Sequence, residues 1–232
     1  GTGMLRAIKM MGYEGKIYPV NPKGGMLSGL EIYRRVEDIP GPVDFAIIAV
    51  NARYVPESLE ACLKIGVAGA EILSSGFSEL GTEEGKELEQ RIQHIAAQGI
   101  RVVGPNCFGI YCPASGLTLL PGPDLSRQTG PVAFVAQSGG MSIDFAHAGK
   151  WLGVRFSKMI SFGNGADLRE ADEQRRQMQR MMVQMRAQGR RVPAKPPVPA
   201  IAVQSTLTAE WPLTAKTPET LLTFTRNPHL ET

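Results

Sequence analysis

The fold of this chain is decided by the run Asp44-Phe-Ala-Ile-Ile-Ala-Val50, a short apolar stretch typical of a buried strand. The segment that follows, Pro56–Ile65, carries Leu59 and Leu63 at helical spacing, and its proline suits the first turn of a helix. A second apolar run, Gly69–Ser74, comes next. A strand, a helix and a strand at this interval predict a right-handed crossover within a parallel sheet.

The same alternation extends along most of the chain. Further strands are predicted at Lys16–Val20, Ile100–Gly104, Val132–Ala136 and Phe156–Phe162, and a further helix at Glu83–Gln98. The predicted fold class is therefore α/β, with a mainly parallel sheet and helices on both of its faces.

Composition limits the class of protein. The chain has 232 residues, of which 43% are hydrophobic, enough to form a sizeable core. No apolar run approaches the roughly 20 residues of a membrane-spanning helix, and the N-terminus lacks the order of a signal peptide. Cys62, Cys107 and Cys112 form no C-x-x-C pair, so we expect reduced, buried thiols. We expect a cytoplasmic protein that does not bind a membrane.

Charge is unevenly distributed along the chain. Residues 171–232 hold nine Lys or Arg against five Asp or Glu, whereas residues 1–170 hold sixteen against seventeen. The body lacks a basic patch with interleaved aromatic residues, which argues against nucleic acid as a partner. Residues 174–232 are basic and contain several prolines, so they are interpreted as a tail of uncertain structure. The Met-rich part of this tail, residues 177–185, is either a helix with an apolar stripe or a poorly packed extension.

Ligands of open parallel sheets bind beyond the carboxyl ends of the strands, so the loops there are the candidate sites. At the start of the chain, Gly1, Thr2 and Gly3 run into an apolar helix, as at the end of a glycine-rich phosphate loop. The turn Asn21-Pro22-Lys23 presents a lysine suited to a phosphate. A flexible terminus and an ordinary turn with a solvated lysine remain open as alternatives.

Three more loops follow predicted strands. Val50, Asn51 and Ala52 form a polar break, and Ser75 with Gly76 follows the next strand. Asn106, in Gly104-Pro-Asn-Cys-Phe-Gly109, offers a hydrogen-bonding amide. Together these loops are suited to line a cleft for a nucleotide that carries a long arm.

A second anion site is predicted where the strand Val132–Ala136 ends. There the loop Gln137, Ser138, Gly139 and Gly140 leads into a helix that we expect to begin near Met141. Ser138 is suited to cap that helix while the glycine amides face a phosphate. A plain N-cap without a ligand is the alternative.

The order of these motifs resembles a known family. The motifs are residues 12–24 (GYEGKIYPVNPKG), 74–79 (SSGFSE), 104–109 (GPNCFG), 135–140 (VAQSGG) and 155–164 (RFSKMISFGN). In this order they resemble the α-type portion of ADP-forming acetate–CoA ligases and, more distantly, the α subunit of succinyl-CoA synthetase. The resemblance covers about residues 1–173.

The resemblance implies a Rossmann-like CoA-binding domain at residues 1–127, its first strand apparently missing, followed by part of a flavodoxin-like succinyl-CoA ligase domain at residues 128–173. By position, Gly1, Thr2, Gly3 and Lys23 would meet the CoA phosphates. Val50, Asn51 and Ala52 would flank the nucleotide, and Ser75 with Gly76 would lie near the pantetheine thiol. Gln137, Ser138, Gly139 and Gly140 would match the helix start that receives a phosphoryl group.

In the family, an acid and ATP form an acyl phosphate, CoA attacks it, and a histidine carries the phosphoryl group between sites. That histidine motif and the ATP-grasp segment do not occur in this sequence. The resemblance therefore implies CoA or a CoA thioester as ligand, an ATP-grasp domain or subunit as partner, oligomeric assembly, and ATP or ADP with Mg bound only through other domains. His147 is interpreted as a structural or surface residue, and neither His94 nor His229 is a stronger candidate for the histidine that carries the phosphoryl group.

Two other functions remain possible from the sequence. A non-catalytic module that senses CoA would use the same cleft, whereas a nicotinamide-dependent oxidoreductase would share only the fold class. Against the oxidoreductase, no complete Gly-x-Gly-x-x-Gly follows a strand.

Overall fold

The computed structural model describes residues 2–118, 125–168 and 220–224. Its helices are α1 (Thr2–Met10), α2 (Val55–Lys64), α3 (Glu83–Ala96) and α4 (Gly139–Trp151). Its strands are β1 (Gly25–Leu27), β2 (Leu30–Ile32), β3 (Phe45–Ile48), β4 (Gly69–Ile72), β5 (Arg101–Val103), β6 (Gly109–Tyr111), β7 (Val132–Ala136), β8 (Phe156–Ser161) and β9 (Thr220–Phe224).

The first sheet is parallel and has the order β3-β4-β5. Its strands align in register, with Phe45 opposite Gly69 and Gly69 opposite Arg101. Helices α2 and α3 pack together and bury Leu59 and Ile92 completely against the sheet. Pro56 lies in the first turn of α2, where a missing amide hydrogen leaves no intrahelical bond unmade.

The second sheet has the order β6-β8-β7-β9. β7 pairs in parallel with β8 and β9, whereas β6 runs antiparallel to β8. Helix α4 packs on this sheet, and the core between them includes the buried side chains of Phe134, Ala146 and Phe156. Because β6 follows Gly104–Phe108 directly, this loop carries the chain from the first sheet to the second.

The prediction of a strand at Lys16–Val20 is wrong. That segment contributes one isolated bridge, between Val20 and Tyr33. Its ladder is limited to the Tyr33 amide bonding to the Pro19 carbonyl and the Asn21 amide bonding to the Tyr33 carbonyl, each at 2.9 Å. Pro19 has no amide hydrogen, which removes a ladder bond, and this favours an extended edge over a full strand. The antiparallel hairpin of β1 and β2 was not predicted.

The predicted α/β class and the parallel sheet are confirmed. Within the described residues, no helix is both long and apolar enough to cross a bilayer. Cys62 is buried, Cys107 and Cys112 are half-buried, and all three are free thiols. The predicted tail lies outside the described residues, except for β9.

Candidate functional site: a cleft at the carboxyl edge of the first sheet

A cleft of about 680 Å³ opens where β3 and β4 end. Because the two strands are parallel, the loops that follow them meet at one edge of the sheet. One wall is Ala49–Arg53, the second is Leu73–Gly76, and the third is formed by the start of α3, including Thr82 and Leu88. This volume is in the range of small-molecule and cofactor sites.

Hydrogen bonds join the first two walls. The Leu73 amide donates to the Ile48 carbonyl at 3.0 Å, and the Ser74 hydroxyl donates to the Val50 carbonyl. The Asn51 side chain accepts from the Arg53 amide at 3.3 Å and so caps the short 3-10 turn Ala52–Tyr54. The rim is therefore held by contacts among its own loops.

The cleft brings together five of the residues singled out from the sequence. They are Val50, Asn51, Ala52, Ser75 and Gly76. Asn51 and Ser75 are exposed, so their polar groups are accessible to a ligand. Gly76 has φ +112°, and a Cβ added there would lie 3.0 Å from Cβ of Ala52 on the opposite wall. Because glycine has no side chain, the backbone of the second wall can approach the first wall closely at Gly76.

Arg53 is a lining residue that the sequence reasoning missed. Its side chain is exposed, and its guanidinium carbon lies 4.8 Å from the centroid of the Tyr54 ring. Arg53 and Glu84 are the charged residues of the lining. A guanidinium stacked on an aromatic ring keeps its donors free to bind an anion. A basic residue close behind a strand was the signal that could have identified it.

The turn that carries Lys23 is well formed but does not line this cleft. The Lys23 amide donates to Oδ1 of Asn21 at 3.0 Å, and the Gly24 amide donates to the Asn21 carbonyl at 2.9 Å. Asn21, Pro22 and Lys23 are exposed. Their role toward a phosphate stays a prediction.

At the N-terminus, Thr2 and Gly3 belong to the first turn of α1. Gly3 is exposed and has no atom within 4 Å of an added Cβ, whereas Gly1 lies outside the described residues. A phosphate-binding role for these residues stays a prediction.

The loop Gln137–Gly140 forms the start of α4. Ser138 caps the helix, since its hydroxyl accepts from the Met141 amide at 3.3 Å. The Gln137 carbonyl accepts from the Gly163 amide at 3.1 Å, and Gly140 is exposed with open space beside it. The helix begins two residues earlier than predicted, with both glycines in its first turn. Their amides are therefore near the positive end of the helix dipole.

A polar cluster lies between the cleft and the loop after β8. The side-chain amide of Asn164 donates to Oε2 of Glu79 at 2.6 Å and to Oε2 of Glu89 at 2.8 Å. The side-chain amide of Asn106 donates to Oδ1 of Asn164 at 3.3 Å. Asn106 was predicted as a ligand-binding residue, and in the structure its amide contacts this cluster. The two glutamates were not predicted as site residues.

The histidines lie away from the cleft. His94 is on α3 and His147 is a half-buried residue of α4, and neither belongs to the cleft lining. His229 lies outside the described residues. In the described part of the chain, no three His, Cys, Asp or Glu side chains converge as metal ligands.

Comparison with known proteins places these features in a family. Residues 2–113 match the CoA-binding domain family, and residues 129–179 match the succinyl-CoA ligase-like flavodoxin domain. The α subunit of ADP-forming acetate–CoA ligase I from Pyrococcus furiosus is 40% identical over 177 residues, covering 74% of this chain and 38% of the relative. The ADP-forming acetate–CoA ligase of Methanocaldococcus jannaschii is 39% identical over 173 residues, covering 74% of this chain and 24% of the relative.

A solved structure agrees with these matches. The dinucleotide-forming acetyl-coenzyme A synthetase 1 of Ca. Korarchaeum cryptofilum, in complex with phosphate and ADP, superposes with a TM-score of 0.68 at 36% identity. The match covers 74% of this chain and 36% of that structure, so the chain spans less than two fifths of the length of these relatives. The chain belongs to the ADP-forming acetate–CoA ligase family, of which it carries the CoA-binding domain and a succinyl-CoA ligase-like flavodoxin segment.

Proposed function

We propose that the cleft between Ala49–Arg53 and Leu73–Gly76 binds CoA or acyl-CoA, and that the chain serves as the α-type part of an acyl-CoA synthetase. The single observation that carries this proposal is the cleft itself, at the carboxyl edge of a parallel sheet in a CoA-binding domain. Its polar rim and adjacent glycine suit a nucleotide with an extended arm.

Within this proposal, Arg53 binds a phosphate group of the ligand. It is exposed on the cleft rim and held beside the Tyr54 ring. Lys23 is the second cationic candidate, on a turn that does not line the cleft. Hydrogen bonds to charged groups contribute about 1.5–3 kcal/mol, so the loss of Arg53 should weaken CoA binding about tenfold or more.

Turnover would require a partner. We propose that an ATP-grasp domain or subunit supplies the ATP or ADP site with Mg, and that a histidine-bearing segment carries the phosphoryl group. A histidine suits that step because its ring nitrogen is a nucleophile near neutral pH. The start of α4, with Gln137, Ser138, Gly139 and Gly140, is the proposed point of phosphoryl contact on this chain.

The experiment that tests the function is calorimetric titration of the chain with CoA, acetyl-CoA, NAD and NADP. Binding of CoA and acetyl-CoA, weakened in Arg53→Ala and less in Lys23→Ala, is the expected result. Selective binding of NAD or NADP would contradict the proposal. The exposed Arg91→Ala on α3 serves as the control for loss of a positive charge outside the cleft.

A second experiment separates the ligase from a CoA sensor. Adding the ATP-grasp and histidine-bearing parts of a related ligase, with acetate, ATP and Mg, should restore acetyl-CoA formation. Tight CoA binding without any turnover in this mixture would favour a sensing module.

A further inference from the structure

The side-chain amide of Asn164 connects the loop after β8 to the wall of the CoA cleft. Its Nδ2 donates to Oε2 of Glu79 at 2.6 Å and to Oε2 of Glu89 at 2.8 Å. Nδ2 also lies 3.4 Å from the Ser78 hydroxyl oxygen, but the two shorter bonds to the carboxylates are the ones that its two hydrogens favour. The Ser78 hydroxyl also donates to Glu89, at 2.6 Å.

Glu79 in turn holds the backbone of the cleft wall. Its Oε1 accepts from the Gly76 amide at 2.6 Å, and both of its carboxylate oxygens lie 3.2 Å from the Phe77 amide. Gly76 lines the cleft at φ +112°. Partial burial acts to raise the pKa of Glu79, but hydrogen bonds from Asn164, Gly76 and Phe77 outweigh it and lower the pKa. Glu79 is therefore ionised near neutral pH and is a strong acceptor for both amides.

Asn164 is itself held in place. Its backbone amide donates to the Pro105 carbonyl at 2.9 Å, and its Oδ1 accepts from Asn106 at 3.3 Å. The Asn106 contact orients the Asn164 side chain so that Nδ2 faces the two carboxylates. The neighbouring Gly163 amide bonds to the Gln137 carbonyl at 3.1 Å, which links this loop to the start of α4.

We propose that Asn164 is a positioning residue for the CoA cleft: it holds the Glu79 carboxylate, which holds the Gly76 and Phe77 amides in the conformation that shapes the cleft wall. This proposal rests on the proposed function, since it assigns the cleft to CoA. It also makes the loop after β8 a part of the CoA site that does not line the cleft.

The chemistry of the cluster favours a neutral donor at this position. Glu79 and Glu89 bring two carboxylates to one nitrogen, and an amide satisfies both without adding charge. An aspartate at position 164 would place a third carboxylate there and repel both. An alanine would remove the donor that the two carboxylates share, leaving Glu89 with the Ser78 hydroxyl and Glu79 with backbone amides alone.

The test uses the variants Asn164→Ala and Asn164→Asp of the full chain. Hydrogen exchange of the Gly76 and Phe77 amides reports on the cleft wall without any ligand, and calorimetry with CoA reports on the site. We expect exchange at both amides to become about tenfold faster and CoA to bind about tenfold more weakly in Asn164→Ala, with a larger effect in Asn164→Asp.

Asp167→Asn is the matched control. Asp167 follows in the same loop and pairs with Arg101 at 2.9 Å, yet it contacts neither glutamate. It should alter thermal stability while leaving exchange at Gly76 and Phe77 and the affinity for CoA unchanged. In a Glu79→Gln background, Asn164→Ala should have a smaller effect on CoA affinity than in the wild-type chain, because the two residues act in series.

The outcomes separate the two proposals. If the wild-type chain binds CoA, and Asn164→Ala changes neither amide exchange nor CoA affinity, the positioning role is wrong and the proposed function stands. If Asp167→Asn weakened CoA binding as much as Asn164→Ala, the positioning role would also be wrong, because any change that loosens the loop after β8 would then have the same effect. No CoA binding by the wild-type chain would overturn both.

Discussion

Oε2 of Glu71 on β4 accepts a hydrogen bond from the backbone amide of Ile110 on β6 at 3.0 Å, and this bond joins the first sheet to the second. Glu71 is fully buried, and its Oε1 has no hydrogen-bond partner among the described residues. Burial raises the pKa of Glu71 to about 8, although the Ile110 amide acts to lower it. The protonated, neutral form of the carboxyl group therefore predominates at pH 7.

We predict that Glu71→Gln stabilises the chain at alkaline pH. The pKa of Glu71 is raised in the folded state. The contribution of Glu71 to the free energy of unfolding is therefore fully present below about pH 4.5 and is lost as the pH rises to about 8. A glutamine keeps an acceptor for Ile110 and does not ionise. Relative to the wild type, the free energy of unfolding of Glu71→Gln should rise by on the order of 4 kcal/mol between pH 5 and pH 8.5.

Urea denaturation at both pH values measures this change. The Cys107 thiol does not titrate in this range, since burial and the nearby Glu71 raise its pKa to about 12. Glu87→Gln, at an exposed position of α3, is the control for replacing a glutamate by a glutamine outside the core. A constant difference for Glu71→Gln would show that Glu71 is already ionised at pH 5.

Gly76→Ala should weaken CoA binding more than it reduces stability. An alanine at φ +112° is strained, and its Cβ would lie 3.0 Å from Cβ of Ala52 across the cleft. Such backbone strain costs roughly 1–3 kcal/mol, and the wall can relieve it only by moving away from Ala52. We expect a loss of at least about fivefold in CoA affinity by calorimetry, with the change in unfolding free energy measured in parallel.

Gly66→Ala is a suitable comparison for that variant. Gly66 also has a positive φ, +81°, but an added Cβ there would meet no atom within 4 Å and Gly66 does not line the cleft. It should lose stability without losing affinity for CoA. If both variants bind CoA as tightly as the wild type, the geometry of the Gly76 wall does not matter for the ligand.

The sequence predicted most of what local periodicity controls. The β3–α2–β4 unit follows from apolar runs and a helical stripe within about thirty residues. The wall residues Val50, Asn51, Ala52, Ser75 and Gly76 follow from the rule that loops after parallel strands meet at one edge. The prediction of a strand at Lys16–Val20 was wrong because a strand also needs neighbouring strands to pair with, and periodicity does not reveal these.

The contact between Asn164 and Glu79 could not be predicted in this way. The two residues are 85 positions apart, and neither belongs to a periodic pattern. Their meeting depends on how the loop after β8 lies against Gly104 and Pro105, whose carbonyls accept from the Ala166 and Asn164 amides at 3.0 and 2.9 Å. Such a contact follows from tertiary packing.

The two glycines at the start of α4 should respond to alanine in opposite directions. A Cβ on Gly139 would lie 3.0 Å from Cβ and 3.3 Å from the backbone nitrogen of Phe108, which is buried in the core of the second sheet. We therefore expect Gly139→Ala to lower the free energy of unfolding by about 1–3 kcal/mol through overpacking. Gly140 has open space around it, so Gly140→Ala should raise that free energy by roughly 0.5–1 kcal/mol, the preference of a helix for alanine.

Chemical denaturation of both variants tests this contrast, and the pair controls for the shared change in composition. Because Gly139 packs against the segment that carries the chain between the sheets, Gly139→Ala should also disturb β6, detected as faster exchange of the Ile110 amide. If the two substitutions changed the free energy of unfolding equally, helix propensity alone would account for the effect of alanine at both positions. Phe108 would then have room to move aside, and the contact at Gly139 would not constrain the junction.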